Sequence, residues 1–168
     1  MTAILPGSFD PVTLGHIDLI RRGALLFDVI IAAVLDNPAK IPLFSVKERV
    51  DMLMTETACI PGVEVEAFSG LLAEFAKKRN VRYILRGVRT QMDAAYEIPM
   101  AQANSKLLEG LETVFLITDP AYGFMSSSLI REIAAFANNF DDKILNQWIS
   151  PAVKDALKKK ATSLPFIR

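Results

Sequence analysis

Short runs of apolar, often β-branched residues alternate along this chain with longer stretches of helical periodicity, and this alternation limits the fold more than any other feature. Parallel strands buried on both faces have such continuous apolar runs, and they need helical crossovers between them. The sequence therefore predicts an α/β fold, a Rossmann-like, doubly wound sheet of five mostly parallel strands with helices on both faces. The runs predicted as strands are Ala3–Leu5, Val29–Leu35, Val63–Phe68, Tyr83–Leu85 and Val114–Thr118.

The stretches between these runs are predicted to be helices. A first helix follows the first apolar run and leads through Phe27 into the second, which makes a β-α-β unit. Ser45 and Glu48 have the spacing of a capping box, so a second helix starts there. We expect one domain over residues 1–168, with a C-terminal helix and a short tail at about 151–168. Further helices are predicted at Leu71–Lys78, Gln91–Glu109, Ser128–Phe136 and Pro151–Lys160.

Composition argues against several classes of protein. Lys and Arg (19) balance Asp and Glu (19), so no overall electrostatic attraction to nucleic acid or to an anionic membrane is expected. Cys59 and His16 are each single in the chain, which rules out a disulfide framework and a zinc site of clustered Cys and His. A reducing cytoplasm is the expected setting. The longest apolar run, Val29–Leu35, is too short to span a bilayer, and no basic segment precedes the first strand, so we expect neither export nor membrane insertion.

The turn after the first strand has the features of a phosphate-binding site. Gly7 lets the backbone turn and approach a ligand, Ser8 offers a hydroxyl, and the following helix points its N–H groups and positive dipole end outward. The glycine spacings of P-loops and of dinucleotide-binding turns are absent. His16 lies one turn past the strand end, where an imidazole N–H can donate to a phosphoryl oxygen, although a lone histidine at a helix start more often only caps or packs.

Two later strand ends carry further anion-binding groups. Arg86 and Arg89 flank a glycine after the fourth strand and would turn two guanidinium groups toward one ligand. Ser126–Ser128 precede an apolar helix, so one hydroxyl caps it while its N–H groups can hold phosphate. Ordinary capping requires only one serine, and two arginines by themselves are equally consistent with an exposed surface.

The segment GSFDPVTLGHIDLI resembles the paired signature of the nucleotidylyltransferase superfamily, a G-[ST]-F-D-P turn followed by T-x-G-H. Three more segments are similar to the bacterial phosphopantetheine adenylyltransferases, and the resemblance covers nearly the whole chain. These segments are Asn37-Pro38-Ala39-Lys40, Arg86-Gly87-Val88-Arg89 and Ser126-Ser127-Ser128-Leu129. Ser8 stands where many relatives have threonine, which keeps the hydroxyl.

The resemblance implies that the adenylyl group of ATP is transferred to 4′-phosphopantetheine, giving dephospho-coenzyme A and pyrophosphate. His16, Lys40 and Arg89 would act in catalysis, with His16 stabilising the transition state. The residues that would bind phosphopantetheine are Ser8, Lys40, Leu72 and Arg86. The residues that would bind ATP are Ser8, Phe9, His16, Gly87, Val88, Arg89, Glu97, Tyr122, Gly123, Phe124, Met125, Ser126, Ser127 and Ser128.

The same resemblance implies a cofactor and partners. Mg²⁺ is expected on the ATP phosphates, with no protein metal site. A homohexamer is expected, and coenzyme A is expected as a feedback ligand. Pro99 falls inside the helix predicted to carry Glu97, where proline usually bends the axis, so the direction of the Glu97 side chain is not fixed by the sequence.

Other interpretations remain open at this point. The arginine turn and the serine triplet also suit other members of the superfamily, such as a nicotinate-mononucleotide adenylyltransferase or a cytidylyltransferase for an alcohol phosphate. A non-catalytic nucleotide sensor would keep the phosphate-binding turn but has no need of both His16 and Lys40. A flavodoxin-like electron carrier fits worst, because one phosphate does not require two arginines and a lysine.

Overall fold

The computed structural model describes residues 1–38, 41–136 and 145–161. All five predicted strands are present; the first four are extended by one to three residues, and the fifth starts two residues earlier and ends one residue earlier than predicted. They are β1 (Thr2–Gly7), β2 (Val29–Asp36), β3 (Val63–Ser69), β4 (Tyr83–Val88) and β5 (Glu112–Ile117). The helices of the described residues are α1 (Leu14–Gly23), α2 (Val46–Thr57), α3 (Leu72–Lys78), α4 (Gln91–Leu107), α5 (Ser127–Phe136) and α6 (Pro151–Ala161).

The strands form one sheet in the order β3-β2-β1-β4-β5, and every neighbouring pair is parallel. The chain begins at the centre, builds outward through β2 and β3, and then crosses back to add β4 and β5 on the other side. The strand order therefore reverses between β1 and β4, and ligands bind beyond the carboxyl ends of strands at such a point. The predicted doubly wound α/β fold is confirmed, with a fully parallel sheet.

The sheet itself opens at this reversal. β1 and β2 pair over six residues, whereas β1 and β4 pair only at Ala3 with Tyr83 and at Ile4 with Ile84. Beyond Ile4 the two strands separate toward their carboxyl ends. A crevice thus begins inside the sheet, between the last residues of β1 and those of β4.

Two apolar layers cover the two faces of the sheet. Alternate residues of β2 point to opposite sides, so Ile30 and Val34 belong to one core cluster and Ile31 to the other. The first cluster contains residues of α1, α2, α5 and α6, and the second contains residues of α3. The central strands are buried because helices cover both faces, as the continuous apolar runs predicted.

One helix ends earlier than expected, and another runs through its proline as predicted. Helix α1 ends at Gly23, where a Cβ atom would lie 2.5 Å from Leu85 Cδ2, so the helix end approaches β4 too closely for a larger residue. The chain then reaches Phe27 through turns rather than helix. Pro99 lies inside α4, which continues on both sides of it. In the parts of the chain that the structure describes, no helix combines the length and hydrophobicity needed to cross a membrane.

Candidate active site

A cavity of about 370 Å³ lies at the carboxyl ends of the strands, where β1 and β4 separate. Its wall is formed by the turn after β1, the start of α1, the end of β4, one side of α4 and the start of α5. Ser8, His16, Arg86, Arg89 and the segment Ser126–Ser128 all line it. The histidine, the two arginines and the serine triplet are therefore brought to one crevice.

The turn after β1 is shaped by a buried ring. Phe9 has the positive φ angle of 48° and no exposed surface, and the Asp10–Pro11 peptide bond is cis. A Cβ atom on Gly7 would lie 3.0 Å from two atoms of the Phe9 ring. A larger residue at position 7 would therefore press on this ring, so glycine is favoured there by the close approach of the ring and not by an unusual φ angle.

Asp10 attaches the segment before α2 to this turn. Its Oδ2 accepts a hydrogen bond from the Leu43 backbone N–H (2.9 Å), and its Oδ1 accepts one from Phe44 N–H (2.8 Å). Only 4% of the residue is exposed. Asp10 therefore fixes the end of the β2–α2 connection beside the cavity.

Arg49 of α2, which the sequence analysis did not identify, holds the same turn in place through hydrogen bonds. The residue is buried, and its guanidinium donates to three backbone carbonyls: Ser8 (2.8 Å), Leu35 (3.0 Å) and Phe44 (3.0 Å). A charge placed out of water needs such partners. The signal was in the sequence, because Arg49 lies at helical spacing between Val46 and Leu53, on the apolar face of α2.

His16 is held in one orientation by the start of α1. Thr13 caps this helix, with its Oγ1 accepting from His16 N–H at 3.2 Å, and His16 Nδ1 accepts from Thr13 N–H at 3.0 Å. The Phe9 ring meets the imidazole edge to face at 5.0 Å. Since Nδ1 is an acceptor, the neutral ring carries its proton on Nε2 and can donate it into the cavity.

Burial of the ring, together with the positive charges of Arg89 and Arg86, lowers the pKa of His16 from its ordinary value of 6.5 to about 4. Desolvation and nearby cations both disfavour the imidazolium form. His16 is therefore neutral at physiological pH. It acts as a hydrogen-bond donor there and not as a cation.

Arg86 connects the two separated strands and pairs with α4. Its Nη1 donates to the Pro6 carbonyl at 2.6 Å, across the opening between β4 and β1. Its Nε donates to Glu97 Oε2 at 2.7 Å, and its Nη2 donates to Glu97 Oε1. Glu97 thus reaches the cavity wall as a partner of Arg86, although Pro99 lies two residues further along the helix.

Arg89 pairs with the other cavity-lining carboxylate of α4. Its Nε and Nη2 donate to the two oxygens of Asp93 at 2.9 and 3.0 Å. Its Nη1 donates to the Met125 carbonyl at 2.5 Å, just ahead of the serine triplet. The guanidinium of Arg89 is therefore fixed between α4 and the segment that leads into α5.

The serine triplet divides its roles. Ser126 Oγ accepts from Leu129 N–H at 3.1 Å, so it caps α5. Ser127 Oγ donates to the Pro11 carbonyl at 2.8 Å, and Ser128 Oγ lies 3.2 Å from Nη2 of Arg131. Arg131 also lines the cavity, and sequence reasoning missed it although it stands one helical turn past Ser128.

The remaining predicted site residues are spread over several positions. Gly87 and Tyr122 line the cavity, as does Met125. The following residues do not line it: Leu72, which packs against the second core cluster; Val88, which pairs with Ile117 at the end of β4; Gly123; and Phe124, whose ring contacts Trp148 at 5.7 Å. Lys40 lies outside the described residues.

The comparisons with known proteins agree with this fold and site. The family described as cytidylyltransferase-like matches residues 4–133, and the chain belongs to this family. Within it, the chain is 52% identical to the phosphopantetheine adenylyltransferase of Caldanaerobacter subterraneus subsp. tengcongensis, over 94% of this chain and 96% of the relative. The resemblance predicted from the motifs is confirmed, and with it the assignment to the nucleotidyltransferases.

Two solved structures share the fold at low sequence identity. A nicotinic acid mononucleotide adenylyltransferase of Plasmodium falciparum superposes with a TM-score of 0.67 at 16% identity, over 94% of each chain. A lipopolysaccharide core biosynthesis protein of Thermoplasma volcanium gives a TM-score of 0.51 at 20% identity, over 71% of this chain and 96% of that one. These likenesses concern the fold alone.

Proposed function

We propose that this enzyme transfers the adenylyl group of ATP to 4′-phosphopantetheine, releasing pyrophosphate and dephospho-coenzyme A. The observation that carries the proposal is the meeting of a neutral imidazole, two carboxylate-oriented guanidinium groups and the serine-capped start of α5 in one cavity. The 52% identity to a phosphopantetheine adenylyltransferase supports the choice of this acceptor.

The reaction needs no nucleophile from the protein. An oxygen of the acceptor phosphate attacks the α-phosphorus of ATP, the new P–O bond forms, and the bond between the α-phosphorus and the bridging oxygen breaks as pyrophosphate leaves. Catalysis then consists of holding the two phosphates in line and of stabilising the charge that develops on the transferred group. Nε2–H of His16 would donate to an oxygen of the α-phosphate, since Nδ1 is already occupied by Thr13.

The other residues would divide between the two substrates. Ser8, Lys40 and Arg86 would bind phosphopantetheine, and Leu72, which lies outside the cavity wall, would be an apolar contact for a part of this substrate that extends beyond the cavity. ATP would bind Arg89, the backbone around Gly87, and the segment from Tyr122 to Ser128, with Glu97 at its edge. Arg131 lines the same wall and would add a further positive charge near the phosphates.

We assign Mg²⁺ to the ATP phosphates rather than to a protein site. The described residues contain no group of three or more His, Cys, Asp or Glu able to hold an ion by themselves. Asp10 lines the cavity, but each of its carboxylate oxygens accepts a backbone N–H. When bound, the ion would neutralise part of the triphosphate charge.

We also propose a cytoplasmic setting, a homohexameric assembly and feedback binding of coenzyme A. The first is supported by the use of a single cysteine, Cys59. The second is supported by a run of exposed apolar residues on α4, namely Met92, Tyr96, Ile98, Met100 and Leu107. The third is supported by the proposed reaction, because coenzyme A shares the pantetheine and adenylyl groups of its product.

The test is pyrophosphate release measured with ATP or CTP and three acceptors: phosphopantetheine, nicotinate mononucleotide and glycerol phosphate. We expect release with ATP and phosphopantetheine alone. Preference for another pair would move the enzyme within its family, and release with no pair would favour a nucleotide sensor. His16→Ala should lower turnover by about 10²-fold while the fold is retained, as for the loss of one transition-state donor. Near-normal turnover of that variant would reject the role of His16.

A further inference from the structure

The starts of three helices provide an internal comparison. In α1, α2 and α4 a Thr or Ser side chain caps the helix by accepting the backbone N–H of the residue three positions later. In α1 and α2 that later residue returns a bond to the cap backbone. His16 Nδ1 accepts from Thr13 N–H at 3.0 Å, and Glu48 Oε2 accepts from Ser45 N–H at 2.8 Å. Both helices therefore have complete, reciprocal caps.

Helix α4 has only the first half of this arrangement. Thr90 Oγ1 accepts from Asp93 N–H at 3.2 Å, but the Asp93 carboxylate is bonded to Arg89, the residue just before the cap. Oδ2 accepts from the Arg89 backbone N–H at 3.0 Å and from its Nε at 2.9 Å, and Oδ1 accepts from Nη2 at 3.0 Å. A carboxylate in the capping position is thus directed to a residue that lines the cavity.

The resulting contacts determine which side of the Arg89 guanidinium is available. A guanidinium has five N–H groups. Asp93 takes one on Nε and one on Nη2, and the Met125 carbonyl takes one on Nη1. Within these contacts one N–H remains on each Nη, and each can donate to a phosphate oxygen. The bonds from Arg89 hold the pKa of the Asp93 carboxyl below its ordinary value, so Asp93 is ionised at neutral pH.

We propose that Asp93 is a positioning residue that orients the guanidinium of Arg89 toward a polyphosphate in the cavity, instead of completing the cap of α4. This inference rests on the proposed function only in naming the ligand. An arginine side chain loses considerable rotamer freedom when it binds a ligand. Because Asp93 already restricts the Arg89 side chain in the free protein, less of that freedom is lost on binding. Without Asp93, affinity for the polyphosphate falls by about tenfold.

A double-mutant cycle on ATP affinity tests the inference, with calorimetry on wild type, Asp93→Ala, Arg89→Ala and the double variant. We expect each single substitution to weaken ATP binding by about tenfold or more, and the double variant to bind as Arg89→Ala does. Asp93→Asn, which keeps the shape and loses the charge, should lie between wild type and Asp93→Ala. Glu48→Ala is the matched control, because it removes the equivalent carboxylate from α2, and it should leave ATP affinity within twofold. The proposal is overturned if the Asp93→Ala variant binds ATP normally. It is also overturned if adding Asp93→Ala to the Arg89→Ala variant lowers ATP affinity by the same factor as it does in wild type.

A second readout needs no ligand. The ¹⁵Nε–H group of Arg89 should give a resolved, ordered NMR signal in wild type and Glu48→Ala, and an averaged one in Asp93→Ala. Equal order in all three would reject the role of Asp93. Failure of the wild type to bind ATP would contradict the proposed function, while the NMR comparison would still decide whether Asp93 fixes Arg89.

Discussion

The pKa of His16 makes a quantitative prediction about stability, because this is the only histidine in the chain. In the folded state its pKa is lowered from 6.5 to about 4. Between these values the unfolded chain binds a proton at His16 and the folded protein does not. Protonation therefore favours the unfolded state, and the free energy of unfolding falls as the pH is lowered from 7.5.

The size of the effect follows from the two pKa values. Over the whole interval it amounts to roughly 3 kcal/mol, and by pH 5 about 2 kcal/mol should already be lost. His16→Gln cannot titrate in this range. We expect the difference in unfolding free energy between wild type and His16→Gln to shrink by about 2 kcal/mol from pH 7.5 to pH 5. Comparing the two proteins cancels the contributions of the carboxylates and the N-terminus.

Urea unfolding at half-unit pH steps measures this difference. A direct check is available from NMR, since a single imidazole gives one Hε1 resonance to follow on acidification. Parallel stability curves for the two proteins, or an Hε1 titration near pH 6.5 in the folded state, would refute the reasoning. Either result would mean that water or a carboxylate solvates the ring better than the contacts with Phe9 and Thr13 indicate.

Two further predictions concern the scaffold, both measured as unfolding free energies in urea. Arg49→Met removes three hydrogen bonds to backbone carbonyls and should lower the free energy of unfolding by about 3 kcal/mol or more. The control is Arg21→Met at an exposed position, which should change stability by less than about 0.5 kcal/mol. A loss below about 1 kcal/mol for Arg49→Met would be inconsistent with the described contacts. Gly62 has φ +73 and a Cβ there would lie 2.4 Å from the Asp28 carbonyl oxygen, whereas Gly70 has φ +83 with no atom closer than 3.8 Å, so Gly62→Ala should cost at least about 2 kcal/mol more than Gly70→Ala. Equal losses at the two glycines would show that the backbone moves to remove the clash.

Prediction from the sequence worked best for elements whose formation depends on residues close together in the chain. Ser45 and Glu48 start α2 as their spacing indicated, and the five apolar runs all became strands, of which the central β1 and β2 are buried along most of their length. Conversely, the close packing that leaves no room for a side chain at Gly23 depends on the distance to Leu85, a residue 62 positions away in the chain. The hydrophobic periodicity of a helix carries no information about such a long-range contact.

The site was predictable in its positions and less so in its connections. The order of the elements along the sequence was enough to place Arg86 and Arg89 at the end of a strand. That Arg86 pairs with Glu97 depends on how α4 crosses the sheet, which one sequence does not specify, whereas Arg89 and Asp93 are only four residues apart. Arg49 was the exception, because a charged residue on an apolar helix face signals a buried polar contact and was readable in advance.

The pairing of cavity arginines with carboxylates has a consequence for how a ligand arrives. The described wall contains four arginines, Arg49, Arg86, Arg89 and Arg131, and three carboxylates, Asp10, Asp93 and Glu97, which leaves a single net positive charge. Long-range steering of an anion by so small a charge is weak, and association then depends little on ionic strength. Recognition of a polyphosphate instead occurs at contact distance, through hydrogen-bond donors that are already oriented. Selectivity among ligands then lies more in the dissociation rate than in the association rate.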